Sequence, residues 1–181
     1  IIAKCVSQCI RPKGYPIIHT FSIGLKGSPD LAAAAEVARE LGTCHHPVVY
    51  TVEEGLAAIP AVIGAVETYD VTTVRASVPM YLLARVIRRC GIKVVLSGEG
   101  ADELFAGYAY NGFAPGEKAL AEECIRKMDM LHAYDCARAN KSCAAHGVEC
   151  RVPFLDRQVV DWAMNTLHPR QKMWDKIEKE V

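Results

Sequence analysis

Ser97-Gly98-Glu99-Gly100-Ala101-Asp102-Glu103 follows directly on Ile92-Lys93-Val94-Val95-Leu96. A short apolar run rich in β-branched residues and bounded by glycines reads as a buried strand of a parallel sheet. The chain then turns at Gly98 and Gly100, and a helix is expected from residue 101 to about 108. Glu99, Asp102 and Glu103 crowd carboxylates onto the strand's end, where open α/β sheets bind their ligands. Small residues at such a turn let backbone N–H groups approach a phosphate. Carboxylates beside a phosphate repel it unless a cation lies between them, and hard oxygen ligands of this kind suit Mg²⁺. Acidic residues also complement the dipole of a starting helix, so the loop by itself leaves both readings open.

Outward from this stretch, helical and extended signals alternate. Residues 1–10 are apolar at helical spacing with no N-cap before them, and turn residues fill 11–16. Residues 17–25 read as a strand. Ser28 then caps a helix, with Pro29 at its first position and Asp30 on its positive end. Leu31, Ala34, Ala35, Ala38 and Leu41 form the apolar stripe, and Gly42 is the stop. Val48-Val49-Tyr50 reads as a short strand. Thr51 and Glu54 make a capping box for a helix carrying Leu56, Ile59, Ile63 and Val66, with Pro60 as a bend. Residues 67–77 read as a polar connection, with Ser77 capping a helix that runs to Cys90 before Gly91. The alternation implies right-handed crossovers and an α/β fold: a mostly parallel sheet with helices on both faces. After Tyr110 the texture changes. A loop occupies 111–116, helix 117–145, and an extended segment 151–155; Asp156 caps a last helix, and 171–181 form a charged amphipathic tail. The expected organisation is a nucleotide-binding α/β part over residues 1–110 followed by an all-helical C-terminal part over 111–181.

The 181 residues are 51% hydrophobic and 23% charged, with a formal net charge of zero. This is ordinary for a soluble globular chain and argues against a polybasic nucleic-acid surface. No apolar run reaches the length of a membrane span, and residues 1–5 show no signal core, so a cytoplasmic location is expected. Eight cysteines are scattered without a CxxC pair or a histidine at zinc-finger spacing, and read as reduced thiols serving as small hydrophobes. His45-His46 reads as a loop or strand-edge pair rather than a metal pair, because adjacent side chains diverge on any regular element.

Several long motifs in order resemble the synthetase domain of glutamine-hydrolysing asparagine synthetases over nearly the whole chain. They are residues 21–25 with 27–30, Glu67-Thr68-Tyr69-Asp70-Val71-Thr72-Thr73-Val74-Arg75-Ala76-Ser77, Leu96 through Glu103, residues 134–141, and residues 147–156. The resemblance implies an adenine nucleotide alpha hydrolase-like fold, with ATP and magnesium (Mg²⁺) as cofactors. It implies attack of the aspartate β-carboxylate on the α-phosphorus of ATP, giving β-aspartyl-AMP and pyrophosphate. Ammonia, released from glutamine by an N-terminal glutaminase domain, then displaces AMP to give asparagine. By the same resemblance Ile23 contacts the adenine through its backbone, Ser97 and Gly98 line the nucleotide, and Asp102 holds the metal. Glu99 and Arg75 are the catalytic candidates: Glu99 to take a proton from ammonia, and Arg75 to hold a carboxylate or phosphate bidentately. Thr72 adds a hydroxyl donor for aspartate. Arg138, Lys141, Glu149 and Arg151 either reach the site or form an ion network between helices. No nucleic-acid or membrane partner is implied, and a homodimer is compatible with the resemblance.

The chain also departs from that pattern. The family's pyrophosphate loop, the N-terminal glutaminase domain and a C-terminal reactive lysine have no counterpart here. Asn111-Gly112-Phe113 replaces the family's Phe-His-Lys. The expectation is a central fragment of such an enzyme, inactive by itself. A non-catalytic adenine-nucleotide-binding regulatory module is the alternative.

Overall fold

Ser28 behaves as its sequence position demands: its hydroxyl accepts the Asp30 N–H at 3.3 Å, and Pro29 occupies the first helical position. The resulting helix α2 (Pro29–Leu41) lies between the strands β1 (His19–Leu25) and β2 (Cys44–Tyr50), which pair in parallel with Ile23 opposite Val48. The computed structural model describes residues 1–10 and 17–172. The turn expected at 11–16 and the tail beyond Lys172 lie outside the described residues. Helix α1 spans Ile2–Ile10.

Thr51 and Glu54 close the expected capping box, each side chain bonding the other's backbone N–H (2.8 and 3.1 Å), and α3 runs Val52–Val66 through Pro60. Helix α4 corrects the expected polar connection. It spans Val71–Arg89, because the Asp70 carboxylate accepts the Thr73 N–H at 2.7 Å and starts the helix six residues before Ser77. Ser77 is therefore a buried mid-helix residue and not a cap. The run of threonines and charges there obscures a helix whose buried side is made by Val74, Ser77 and Val78.

Strand β3 (Val94–Leu96) pairs with β4 (Glu149–Arg151). Between them come α5 (Ala101–Phe105), a 3-10 turn at Ala109–Phe113, α6 (Glu117–Leu131) and α7 (Asp135–Ala144). The expected helix over 101–108 stops early because Ala106 adopts φ 57°. The expected helical stretch 117–145 breaks at residues 132–134. The extended segment expected at 151–155 is a strand end followed by a 3-10 turn at Pro153–Leu155, after which Asp156 caps α8 (Arg157–Asn165) as read. The chain is thus α/β with parallel pairing of β1 and β2. Among the described residues the strands form two two-stranded sheets, not one continuous sheet.

The chain divides into two compact units, Ile1–Val95 with Arg138–Cys150, and Leu96–Ala137 with Arg151–Val181. In the first, Val62 and Val66 of α3 pack with Val74, Val78 and Leu82 of α4, against Ile23 and Tyr50. A second cluster there joins Ala84 and Ile87 to Cys143 and Val148, against Phe21, Ile92 and Val95. In the second unit Ala106, Leu120 and Cys124 pack with Ala114 and Met164, and Phe105 meets Phe154 edge-on at 5.7 Å. Each fully buried valine, leucine or isoleucine among these contributes about 1.5–3 kcal/mol, and each alanine less.

Candidate functional site

Four of the expected site residues belong to the second unit. Leu96 delivers Ser97 to a turn in which the Glu99 N–H points to the Ser97 hydroxyl at 3.4 Å. Gly100 follows at φ 90° and is buried. A Cβ at Gly100 would overlap the Leu155 side chain, so both the backbone angle and the close approach demand glycine here. Ser97, Glu99 and Asp102 are half-buried, and Gly98 is exposed with open space where a side chain would stand. The turn therefore leaves bare backbone at Gly98 with two carboxylate residues close by in sequence.

Helix α5 sets the two acidic residues of its first turn to different tasks. Glu103 is 4% exposed and accepts the Tyr108 hydroxyl proton. Asp102 stays half-buried, and its carboxylate fills the space that Gly107 leaves by having no Cβ. A hard oxygen donor seated in a glycine-cleared recess fits a magnesium ion, which takes one or two carboxylates beside substrate phosphates. Glu103, spent on Tyr108, is a structural residue. Burial and the bond to Glu103 push the Tyr108 hydroxyl far above the usual phenol value. Tyr108 stacks on Tyr110 at 5.4 Å, with the Lys127 ammonium 5.5 and 5.6 Å from the two ring centres. These distances are within cation–π range.

Ile23, Thr72 and Arg75 belong to the first unit. The Ile23 side chain packs into the α3–α4 core, which leaves its backbone as the part able to meet a ligand. Gly24 beside it admits no side chain without displacement: a Cβ would lie 3.0 Å from the Ser28 Cβ and 3.1 Å from Leu31 Cγ. Thr72 and Arg75 are exposed, three residues apart in the first turns of α4, and so on neighbouring positions of one helix surface. Hydrogen bonds from the Thr73 backbone and hydroxyl hold the Asp70 carboxyl below its usual range. Tyr69 and Val71 beside them are 89% and 77% exposed, an apolar rim at this helix start that sequence reading passed over.

Of the four residues left between site and ion network, Lys141 takes the second role. Its ammonium donates to the Glu67 carboxylate at 2.7 Å and to the Val66 carbonyl at 3.2 Å, tying α7 to the end of α3. The hydrogen bond from Lys141 lowers the Glu67 carboxyl below its ordinary value. Arg138 is half-buried on α7, and Glu149 and Arg151 are exposed on β4. The structure thus gathers Thr72 with Arg75 on one helix surface, and Ser97, Gly98, Glu99 and Asp102 on one turn.

The histidine pair is a strand pair, as its sequence suggests, but one member has partners that the sequence does not show. His45 and His46 both lie on β2, and their side chains do diverge. His45 bonds Thr20 and Ser22 at 3.0 and 3.1 Å, and its pKa is lowered, first by burial. His46 faces the other way, where it meets His19 and Cys44. Only the parallel register of β1 and β2 reveals that grouping, since its members lie 25 or more positions apart across the two strands (His19 to Cys44 and His46).

The Asparagine synthase family model matches residues 2–115 and 112–181. Asparagine synthetase B (glutamine-hydrolyzing) of Escherichia coli K12 is 57% identical over 169 residues, covering 92% of this chain and 30% of the relative. Asparagine synthetase (glutamine-hydrolyzing) 2 of Oryza sativa subsp. japonica is 58% identical over 168 residues, covering 91% and 28%. Asparagine synthetase (glutamine-hydrolyzing) 3 of Arabidopsis thaliana is 58% identical over 168 residues, covering 91% and 29%. The chain therefore spans less than a third of the length of the curated relatives it matches.

Proposed function

We propose, because this chain belongs to the asparagine synthase family, that it carries part of the machinery converting aspartate to asparagine at the expense of ATP, with ammonia drawn from glutamine. The observation that carries this reading is the Ser97–Asp102 turn. It offers bare backbone at Gly98 and a carboxylate at Asp102 cleared by Gly107, as a nucleotide with its metal requires.

In the proposed sequence an aspartate β-carboxylate oxygen bonds to the α-phosphorus of ATP, and the bond to the pyrophosphate oxygen breaks. The nitrogen of ammonia then bonds to the acyl carbon of β-aspartyl-AMP, AMP leaves with the electron pair, and one proton must be removed. Glu99 takes that proton. Arg75 holds the carboxylate or phosphate of the reacting pair with its planar guanidinium, and the Thr72 hydroxyl helps orient aspartate. Ile23 receives the adenine through its backbone, and Ser97 and Gly98 line the nucleotide. Asp102 holds Mg²⁺, which when bound neutralises phosphate charge. Reactions at phosphorus depend on positioning and charge neutralisation more than on covalent help, which suits the bare backbone and carboxylates of the Ser97–Asp102 turn.

The test uses the full-length protein and follows aspartate- and magnesium-dependent pyrophosphate release from ATP. Asp102→Asn should lower that release by at least about a hundredfold, the scale of a lost electrostatic contact. A folded full-length protein that binds ATP but releases no pyrophosphate would overturn the ligase reading and leave a regulatory nucleotide-binding module.

A further inference from the structure

At the start of the β1–β2 pair, three side chains with nitrogen and sulfur donors converge on one face. His19 and Cys44 are opposite each other in the parallel register, and His46 follows Cys44 by two positions on the same side of its strand. The ligand atoms of all three lie within 4.8 Å of one another. His19 Nδ1 is 2.8 Å from His46 Nε2, and Cys44 Sγ is 3.6 Å from the same nitrogen. Phe21, the strand neighbour of His46, stacks on its ring at 4.7 Å with the planes 14° apart, which fixes the direction of Nε2. His46 is half-buried, while His19 and Cys44 are exposed, so the cluster is open to ions in solution.

We propose that His19, Cys44 and His46 form a binding site for a zinc-like divalent cation. A tetrahedral zinc with bonds of about 2.0 Å to nitrogen and about 2.3 Å to sulfur holds its nitrogen and sulfur ligands roughly 3.6 Å apart, and two nitrogens roughly 3.3 Å apart. The observed sulfur–nitrogen spacing already has that value. The two histidines need to part by about half an ångström, trading a shared hydrogen bond for two metal bonds. Two imidazoles and one thiolate select zinc over magnesium, which prefers oxygen. The fourth position faces water. The site sits at the amino ends of the strands, with His19 four residues before Ile23 on β1, or about 13 Å along the strand, whereas α/β folds receive their ligands at the carboxyl ends. A bound ion would clip the beginnings of β1 and β2 together and stabilise the first unit.

The experiment titrates the full-length protein with Co²⁺ as a spectroscopic stand-in for zinc, in the presence of millimolar Mg²⁺. One equivalent should bind with a thiolate-to-cobalt charge-transfer absorption, be displaced by Zn²⁺, and raise the thermal midpoint. Cys44→Val should abolish the absorption. His19→Gln, which keeps the thiol and replaces an exposed ring, should weaken binding by at least about tenfold, the lower range for disturbing even an outer contact of a metal site. Far-UV circular dichroism of each variant confirms that the fold is kept. Absence of the band in the parent protein would overturn the proposal, and so would a band that survives Cys44→Val and disappears on replacing Cys5 and Cys9 of α1.

Discussion

Tyr108 donates its phenolic proton to Glu103, a carboxylate 4% exposed at the heart of the second unit. The bond gives a buried charge the partner it needs. Burial and, after it, the bond to Glu103 hold the Tyr108 pKa far above the usual phenol value, so the protonated, bonded form is the one that contributes to the fold at neutral pH. That contribution falls away as pH rises beyond about 10, since the unfolded chain then gives up the proton first. Tyr108→Phe should cost about 1–3 kcal/mol at neutral pH by orphaning the carboxylate, and should remove this part of the alkaline decline. Urea denaturation at pH 7 and pH 10.5 reads both effects.

Gly100→Ala should be among the most damaging conservative changes in the second unit. It forces a side chain onto a φ of 90° and into Leu155. Strain and overpacking together are expected to cost about 2–4 kcal/mol. Leu155→Ala in the same chain should recover only the clash and leave the backbone term. A double-mutant cycle in urea would show the coupling; strictly additive losses would contradict it.

Gly107→Ala probes the seat of Asp102 without touching its charge. The new methyl would push against the Asp102 carboxylate. The magnesium concentration for half-maximal pyrophosphate release should rise severalfold while the carboxylate remains, and displacement by about 1 Å can cost up to about a hundredfold in rate. An unchanged magnesium requirement would show that this recess does not position Asp102 for the metal.

Ser77 is fully buried within α4, and its hydroxyl has no hydrogen-bond partner among the described residues. Ser77→Ala removes an unsatisfied polar atom at almost constant shape. It should leave stability unchanged or raise it by about 1 kcal/mol, as a shift of the urea midpoint.

What could be read ahead of the structure follows a physical divide. Local signals came through: the Ser28-Pro29-Asp30 start, the Thr51–Glu54 box, the Gly42 stop and the Asp156 cap each act within four residues of themselves. The start of α4 was missed because Asp70 caps a run of threonines whose composition suggests a connection, while the valines that anchor it are spaced among them. The glycine requirements at positions 100 and 107 depend on what packs against them, Leu155 and Asp102, and spacing alone does not disclose either contact. The His19–Cys44–His46 group was invisible for the same reason: strand register, not sequence distance, makes them neighbours. The chemistry of the acidic turn was legible as a motif, whereas the separate task of Glu103 required knowing that its carboxylate points inward to Tyr108.

The chain leaves the first unit after Val95, returns to it at Arg138 and leaves again after Cys150. Cys143 and Val148 complete the cluster around Ala84 and Ile87. A nascent chain emerging from the ribosome at residue 137 has therefore made all of α4 yet still lacks half of that cluster. The first unit cannot finish closing until Leu96–Ala137 of the second has been made. Synthesis order thus couples the two: a pause or a truncation between them leaves Ala84 and Ile87 at the end of α4 without half of their cluster, with chaperone binding and aggregation as the natural competitors.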